Sequence, residues 1–392
     1  MSIVVVGGGV AGASLAIALG RAGHAVELFD AQTFPRDKPC GEGIMPAGVS
    51  ALRRLGVLDG AGGAPFNGVR YHVGSRVAVG RFPACAEHGD RGHGQRRLVL
   101  DRCLFDLAAA TPGVTVHQGV PVEGPVVENG RAVGVRVDGD VRRATLVVAA
   151  DGAHSRFRHR LGLNVPVPRT RVGARRHYRL AGRTAPPWVD IFLGTSHEFY
   201  VTPLPDGEVL VALLAESDAV ETPLEPMFDR WRVAPPMLRE LLEGAEPISP
   251  LLATPLAASA RHGFAPGAVL LGDAAGFIDP ITGGGIAQAL ITSERLAQFI
   301  VAHGVARADA WLPAYEHERN ALLRDYRLLT RGVLALSRRP TLARAALAAL
   351  SWTPPLFSHL VGVSAGTRWF HGPPKGGPHE GTVAPTKSTP YI

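Results

Sequence analysis

The sequence predicts an α/β fold in which a parallel, doubly wound sheet is interleaved with an antiparallel sheet and followed by C-terminal helices. Three observations carry this. Ile3–Val6 is a short apolar run, and similar runs at 25–29, 146–150 and 268–271 have the length and composition of buried parallel strands. Between 170 and 260 the text changes to strand-like segments at 175–180, 188–193, 198–202 and 209–214, the last two separated by the turn Pro205-Asp206-Gly207. From 310 to about 360 the spacing is helical, with breaks at Pro340 and Pro354-Pro355.

The chain has 392 residues, enough for about two domains and a large core. Hydrophobic residues make up 46% and charged residues 19%, the balance of a globular chain. The formal charge of +7 rests on arginine, because the lysines are Lys38, Lys375 and Lys387 alone. The arginines are scattered and aromatics are only 6%, so the expected reading is an Arg-rich solvated surface and not a nucleic-acid platform. Cys40, Cys85 and Cys103 are odd in number and lack metal-type spacing, so neither a disulfide framework nor a metal site is expected. With no signal-peptide pattern and no long apolar span, a cytoplasmic chain is expected.

Taken in order, Ile3–Val6 runs into Gly7-Gly8-Gly9-Val10-Ala11-Gly12, a helix is predicted over 13–22, and a second strand ends at Asp30. This is G-x-G-x-x-G in the strand–turn–helix setting that binds dinucleotides. Gly7 makes the tight turn, Gly9 admits a pyrophosphate to the backbone, Gly12 lets helix and strand pack, and Asp30 would accept from a ribose hydroxyl. The loop 34–44 then holds Arg36, Lys38, Cys40 and Glu42 within seven positions, and a helix is predicted over 46–55. Short strands at 69–73 and 77–79 precede a helix that Leu98 to Arg102 enters. The runs 114–120 and 132–137 read as strands of a small sheet, and the run 146–150 delivers Asp151-Gly152.

The segment 170–260 reads as a substrate-facing wall, on which His197 and Tyr200 are candidates for orienting a phenol. The run 268–271 leads into Gly272-Asp273, then Pro280 and Gly283-Gly284-Gly285-Ile286, ahead of a helix predicted over 286–301. Glycines at a helix start suit close backbone approach by a large ligand, and free helix N–H groups favour an electron-rich edge. In the helical region Leu322, Tyr326, Leu329, Val333 and Leu336 keep helical spacing, with Arg324, Arg327, Arg331 and Arg338 between them. Two readings follow: a helix packed on the core with a wet Arg face, which is the expected one, or peripheral contact with an anionic membrane. The end from 372 to 392 reads as an extended tail.

Three motifs in order, Gly7-x-Gly9-x-x-Gly12 with Asp30, Asp151-Gly152 and Gly272-Asp273, resemble the fingerprints of flavoproteins with the para-hydroxybenzoate hydroxylase fold. The resemblance covers about residues 1–310 and implies FAD as cofactor. It places the ADP moiety at Gly7, Gly9, Ala11, Gly12 and Asp30, with Arg36, Arg102 and Val120 beside it. Asp151 and Gly152 fall near the pyrophosphate, Asp273 near the ribityl chain, and Pro280 and Gly283 to Ile286 near the isoalloxazine. It implies a Rossmann-like FAD-binding domain (1–70, 96–165 and 261–310), a substrate domain (71–95 and 166–260), a helical segment (311–371) and the tail.

Asp37-Lys38-Pro39-Cys40-Gly41-Glu42-Gly43 and Gly272 to Ile286 further resemble the geranylgeranyl reductase group and its hydroxylase and halogenase relatives. Common aromatic hydroxylases have His where Gly276 stands and Asn where Ala287 stands. Halogenases have a Lys where Ser50 stands, and tryptophan halogenases a Glu where Thr282 stands. Prenyl reductases place the Cys near the flavin, but their Y-x-W-x-F-P segment meets Tyr200-Val201-Thr202-Pro203-Leu204-Pro205 here. The expected function is therefore an FAD-dependent monooxygenase. It would act through a flavin C4a-hydroperoxide on a small hydrophobic, aromatic or natural-product substrate, with O2 as co-substrate. A reductase of isoprenoid-type double bonds is the alternative, with a halogenase or a non-catalytic FAD-binding protein behind it. No second glycine fingerprint exists, so NAD(P)H would bind transiently or a separate flavin reductase would supply electrons. No catalytic residue is assigned; Cys40, His197 and Tyr200 are the candidates.

Overall fold

The computed structural model describes residues 2–58, 62–73, 76–168, 171–256 and 258–372. Ile3–Val6 lies within a six-stranded sheet ordered Phe264–Ala265, Ala268–Leu270, Leu146–Ala149, Ile3–Val6, Val26–Asp30 and Val114–Gln118. All neighbours are parallel except Phe264–Ala265, which turns back on Ala268–Leu270. Ile3, Val5, Leu28 and Val148 belong to a core shared with the helices Val10–Arg21, Arg97–Ala110 and Gly285–His303. Val4, Val6, Phe29 and Val147 belong to a second core, under a three-stranded sheet of Val122–Glu128, Arg131–Val137 and Asp140–Arg143. Burial on both faces is why these strands are continuous apolar runs. Leu15, Ile17 and Leu19 are fully buried, each contributing about 1.5–3 kcal/mol.

One expected strand sits elsewhere. Val114–Gln118 does not join Arg131–Val137; it is the edge of the parallel sheet, paired with Val26–Asp30. An edge strand is only half covered, so it lacks the continuous apolar run of its neighbours.

The second large sheet is ordered Glu246–Pro247, Arg171–Arg179, Glu208–Glu216, His197–Pro203, Val189–Leu193, Gly68–Val73 and Arg76–Arg81, with Leu252–Leu256 also on Arg171–Arg179. It is antiparallel apart from the pair Val189–Leu193 and Gly68–Val73. The boundary expected between 70 and 71 falls inside Gly68–Val73. Pro205-Asp206-Gly207 makes the expected turn, with Asp206 at φ 59. Helices Leu224–Arg232 and Pro236–Leu241 cover the outer face through Phe228 and Leu238.

The C-terminal segment forms the helices Ala308–Ser337, Pro340–Trp352 and Pro354–Ser364, with breaks at the prolines. The last two meet at 112° and pack on Arg76–Arg81. Among the described residues no single helix is long and apolar enough to cross a membrane. The tail after 372 lies outside the described residues. The expectation of a solvated arginine surface fails for Arg97, Arg158, Arg171, Arg175, Arg176 and Arg319, which are buried.

Candidate functional site

A cleft of about 700 Å³ runs between the parallel and antiparallel sheets. Gly7, Gly9, Ala11, Asp30, Arg36 and Val120 line one part of it, and Asp151, Gly152, Gly272 and Asp273 another. Pro280, Gly283, Gly285 and Ile286 line a third, together with Cys40, Gly41, Glu42, Gly43 and Met45. Phe66, Val189, Ala212 and Leu214 give it an apolar wall.

The glycine turn is built for close approach. Gly7 has φ 104, and a Cβ there would stand 2.3 Å from the Ala150 carbonyl oxygen. A Cβ on Gly12 would stand 1.9 Å from the Gly7 oxygen, so Gly12 packs helix on strand and does not line the cleft. Helix Val10–Arg21 starts at Gly9 without a side-chain cap, leaving N–H groups at the cleft. Asp30 is buried and already accepts from Gly8 N at 2.8 Å and Gln32 N at 2.8 Å, with Arg36 at 3.6 Å. A carboxylate has about four lone-pair sites, so it retains capacity for a ribose hydroxyl.

Asp151 is the clearest sign of a missing partner. Its Oδ1 is buried with no hydrogen-bond partner, while Oδ2 accepts from Phe157 N at 3.3 Å. Burial pushes its carboxyl above the usual range. Beside it Lys38 Nζ lies 3.3 Å from Asp273 Oδ2, and Gly152 has φ 82. Helix Gly285–His303 also begins uncapped, at Gly284, directing free N–H groups at the cleft. Two uncapped helix starts, a glycine turn that admits a pyrophosphate and an unpaired Asp151 oxygen fit FAD.

Several expected residues lie elsewhere. Arg102 is half exposed, pairs with Asp106 and donates to the Phe34 carbonyl at 3.0 Å; it is not on the cleft. Arg36, also expected at the cofactor, does line the cleft, between Asp30 and Asp101. Gly284 is off the cleft too: a Cβ there would stand 2.4 Å from the Tyr326 ring, so it admits the Ala308–Ser337 helix. His197 stacks on Trp231 at 4.1 Å, and burial pushes its imidazole down to about 4. Tyr200 does line the cleft, but its hydroxyl donates to the Ile281 carbonyl at 3.0 Å. The two candidates are three residues apart on one strand and therefore on opposite faces. Cys40 lines the cleft, and its Sγ accepts from Glu42 N at 3.4 Å.

The residues that sequence reasoning passed over are the buried charges of the strand Arg171–Arg179. Arg171 pairs with Glu198 and, at 2.8 Å, with Asp279 of the glycine loop. Burial raises Glu198 to about 7 against the opposing pull of Arg171, and raises Asp279 as well. Arg175 meets Asp37 at 2.5 Å. His177 Nε2 lies 2.8 Å from Glu42 Oε2, and His177 Nδ1 lies 3.0 Å from Ser249 Oγ. Glu42 is 1% exposed, His177 0%. Glu42 also sits at φ 57, a conformation non-glycine residues rarely adopt, and accepts from Arg97 N at 2.9 Å. The available signal was the alternation Arg171, Gly173, Arg175, His177, which puts all four on one face of a strand.

The profile of the family described as FAD binding domain matches residues 1–326. The chain belongs to this family. Among curated proteins this flavoprotein is 29% identical over 336 residues to a menaquinone reductase of Mycolicibacterium smegmatis, covering 79% of this chain and 78% of that protein. It is 29% identical over 348 residues to a digeranylgeranylglycerophospholipid reductase of Methanoculleus marisnigri, covering 81% of each. It is also 32% identical over 261 residues to a 2-heptyl-3-hydroxy-4(1H)-quinolone synthase of Mycobacteroides abscessus, covering 62% of this chain and 65% of that one. Among solved structures, a flavoprotein/dehydrogenase from Cytophaga hutchinsonii superposes with TM-score 0.78 at 21% identity, covering 93% of both chains. The flavin-dependent brominase Bmp2 superposes with TM-score 0.78 at 18% identity, covering 94% of both, a likeness of fold. The protein is an FAD-dependent oxidoreductase with resemblance to the geranylgeranyl reductases.

Proposed function

We propose that this flavoprotein is a reductase that adds hydrogen across a double bond of an apolar, isoprenoid-type substrate. The observation that carries the proposal is the buried Glu42–His177 pair on the cleft wall. Bound FAD supplies the two-electron chemistry; reduction of a double bond also needs a proton, and an apolar substrate has none to give. The hydrogen bond between Glu42 Oε2 and His177 Nε2 places a proton behind the cleft wall, which Glu42 lines. His177 Nε2, 2.8 Å behind Glu42, and Ser249 Oγ, 3.0 Å from His177 Nδ1, form a hydrogen-bonded path by which the proton is restored. The segment that carries Glu42 reaches the glycine loop through Met45, whose Cε lies 2.9 Å from where a Gly283 Cβ would stand. The apolar wall of Phe66, Val189, Ala212 and Leu214 excludes water and suits a lipid-like chain. The two relatives matched over about four-fifths of the chain are named reductases of a quinone and of a geranylgeranyl lipid, which supports the same reading. Electrons would come from NAD(P)H bound transiently or from a separate flavin reductase.

The second reading is a monooxygenase acting with O2 on a hydrophobic aromatic substrate. It is favoured by the segment Tyr200 to Pro205, whose wall lacks the aromatic pair of prenyl reductases, and by the likeness to the quinolone synthase.

One experiment separates the two. The FAD-loaded protein is reduced with dithionite without oxygen, then mixed with a geranylgeranyl lipid. The reductase predicts reoxidation of the flavin and a product heavier by two hydrogens. No anaerobic reoxidation, together with incorporation of an oxygen atom from labelled O2 into an aromatic substrate, would overturn it.

A further inference from the structure

The helix Pro340–Trp352 is apolar on two opposite faces. Ala343 and Leu347 are buried against the protein. At about 100° per residue, Leu342, Ala345, Ala348 and Ala349 fall within about 80° of Trp352, on the side away from them, with Thr341 the one uncharged polar residue among them. That outer face is bare: Trp352 is 83% exposed and Leu342 51%. Beyond the 112° bend the exposed run continues through Thr353, Pro354, Pro355 and Leu356. An exposed apolar face opposite a buried one marks a contact surface, and an exposed tryptophan at an apolar bend is the residue type enriched at membrane–water interfaces.

Charge supplies the second observation. From Tyr326 to Gly372 the sequence holds Arg327, Arg331, Arg338, Arg339, Arg344 and Arg368 and no aspartate or glutamate. Arg338 is engaged by Glu216 and Arg368 by backbone carbonyls. Arg331, Arg339 and Arg344 are exposed and have no carboxylate partner among the described residues. Arg344 stands at the edge of the bare face, at about 80° from Trp352 on the other side from Leu342. Helix Ala308–Ser337 connects this region to the cleft: Leu323, Tyr326 and Arg327 line the cleft, while Leu328 and Arg331 on the next turn are exposed.

We propose that the outer face of Pro340–Trp352 and the bend through Leu356 dock on an anionic lipid bilayer, lying in its interface with Trp352 inserted and Arg339 and Arg344 on lipid headgroups. The bend is the reason it lies on the membrane and does not span it, since neither helix alone is long enough. The inference stands on exposure and charge, and holds whichever reaction the cleft performs.

The FAD-loaded full chain is sedimented with vesicles of phosphatidylcholine alone and of phosphatidylcholine mixed with phosphatidylglycerol. Binding is expected to the mixed vesicles only, and to weaken at least tenfold between about 0.05 M and about 0.5 M salt. Neutralising Arg339→Gln and Arg344→Gln should weaken it by roughly fivefold each, and Trp352→Ala by roughly tenfold, with FAD content unchanged. In the unaltered protein, brominated lipid should quench tryptophan fluorescence, which keeps the test open if a variant fails to fold. Equal binding to neutral vesicles, no binding to mixed ones, or a concentration-dependent dimer that Trp352→Ala abolishes would overturn the proposal, the last by assigning the face to a second copy of the chain.

Discussion

Replacing Glu42 by glutamine separates its chemistry from its structural role. The Glu42 carboxylate accepts from Arg97 N at 2.9 Å through Oε1 and meets His177 Nε2 at 2.8 Å through Oε2. A glutamine keeps both contacts: its carbonyl accepts from Arg97 N, and its amide donates to His177 Nε2 when the imidazole proton is on Nδ1, facing Ser249 Oγ. The expected loss of stability is about 1 kcal/mol, the value of exchanging one charged hydrogen bond for a neutral one. Glu42→Ala instead leaves His177 Nε2 and Arg97 N unpaired in a buried site, at about 1–3 kcal/mol each. What glutamine cannot do is relay a proton to and from His177, and losing a positioned acid–base group typically costs about 10²–10⁴ in rate. Urea unfolding gives the stabilities, and anaerobic stopped-flow reoxidation of the reduced flavin by substrate gives the rate. A stable, FAD-loaded Glu42→Gln protein is expected to reoxidise about 10²–10⁴ times more slowly, with its solvent isotope effect changed. A Glu42→Gln protein within twofold of the unaltered rate would refute the relay and leave the pair a structural one.

Three other outcomes follow from the same geometry. Gly12→Ala should abolish FAD binding, because its Cβ would stand 1.9 Å from the Gly7 oxygen and the helix must move off the sheet; flavin content of the purified protein tests this, and full loading would count against the placement. Asp273→Ala should lose FAD as well, since it removes the carboxylate facing Lys38 across the cleft; equilibrium dialysis is the measure, and unchanged affinity would move the site. Glu198, facing Arg171, Asp279, Glu216, Tyr71 and Tyr200, is raised by burial from 4.5 to about 7. A carboxyl raised in the folded state favours the protonated form, so stability present below about pH 4.5 is lost as pH rises towards about 7. The urea midpoint should fall over that window, and Glu198→Gln should flatten the fall without removing it, because Asp279 shifts in the same direction.

What the sequence made legible was whatever had to be written locally. The parallel strands are buried on both faces, so each is a continuous apolar run, and the turn Gly7 to Gly12 needs glycines at fixed places because backbone fills the space a side chain would take. Val114–Gln118 was misplaced because an edge strand carries a mixed pattern that would suit either sheet. His197 and Tyr200 were paired as candidates although strand alternation alone sends them to opposite faces, one to Trp231 and one to the cleft. Arg102 matched a motif by position, yet its exposed side of the helix faces Asp106, and Arg36 from the loop occupies the cleft. Nothing local says that Glu42 and His177, 135 positions apart, share a hydrogen bond. Such a contact is fixed by the packing of two sheets.

That packing explains why one strand carries so many buried polar side chains. Arg171, Arg175 and His177 stand on the same face of Arg171–Arg179, and each meets a carboxylate from a cleft-facing loop: Asp279 from the glycine loop, Asp37 and Glu42 from the loop before the helix Pro46–Leu55. Burying such pairs gives little net stability, because desolvation of the charges offsets most of their attraction. Apolar side chains in the same places would hold the loops about as strongly. They would not hold them in register, since dispersion contacts tolerate sliding and a hydrogen-bonded pair does not. Both loops contribute to one site on a different sheet, where misplacement by about 1 Å can cost about a hundredfold in rate. The antiparallel sheet therefore does more than wall the cleft; it fixes both loops against it. Glu198→Gln tests this separately from stability, because a slackened Arg171 should change FAD affinity at a pH where the urea midpoint is unmoved.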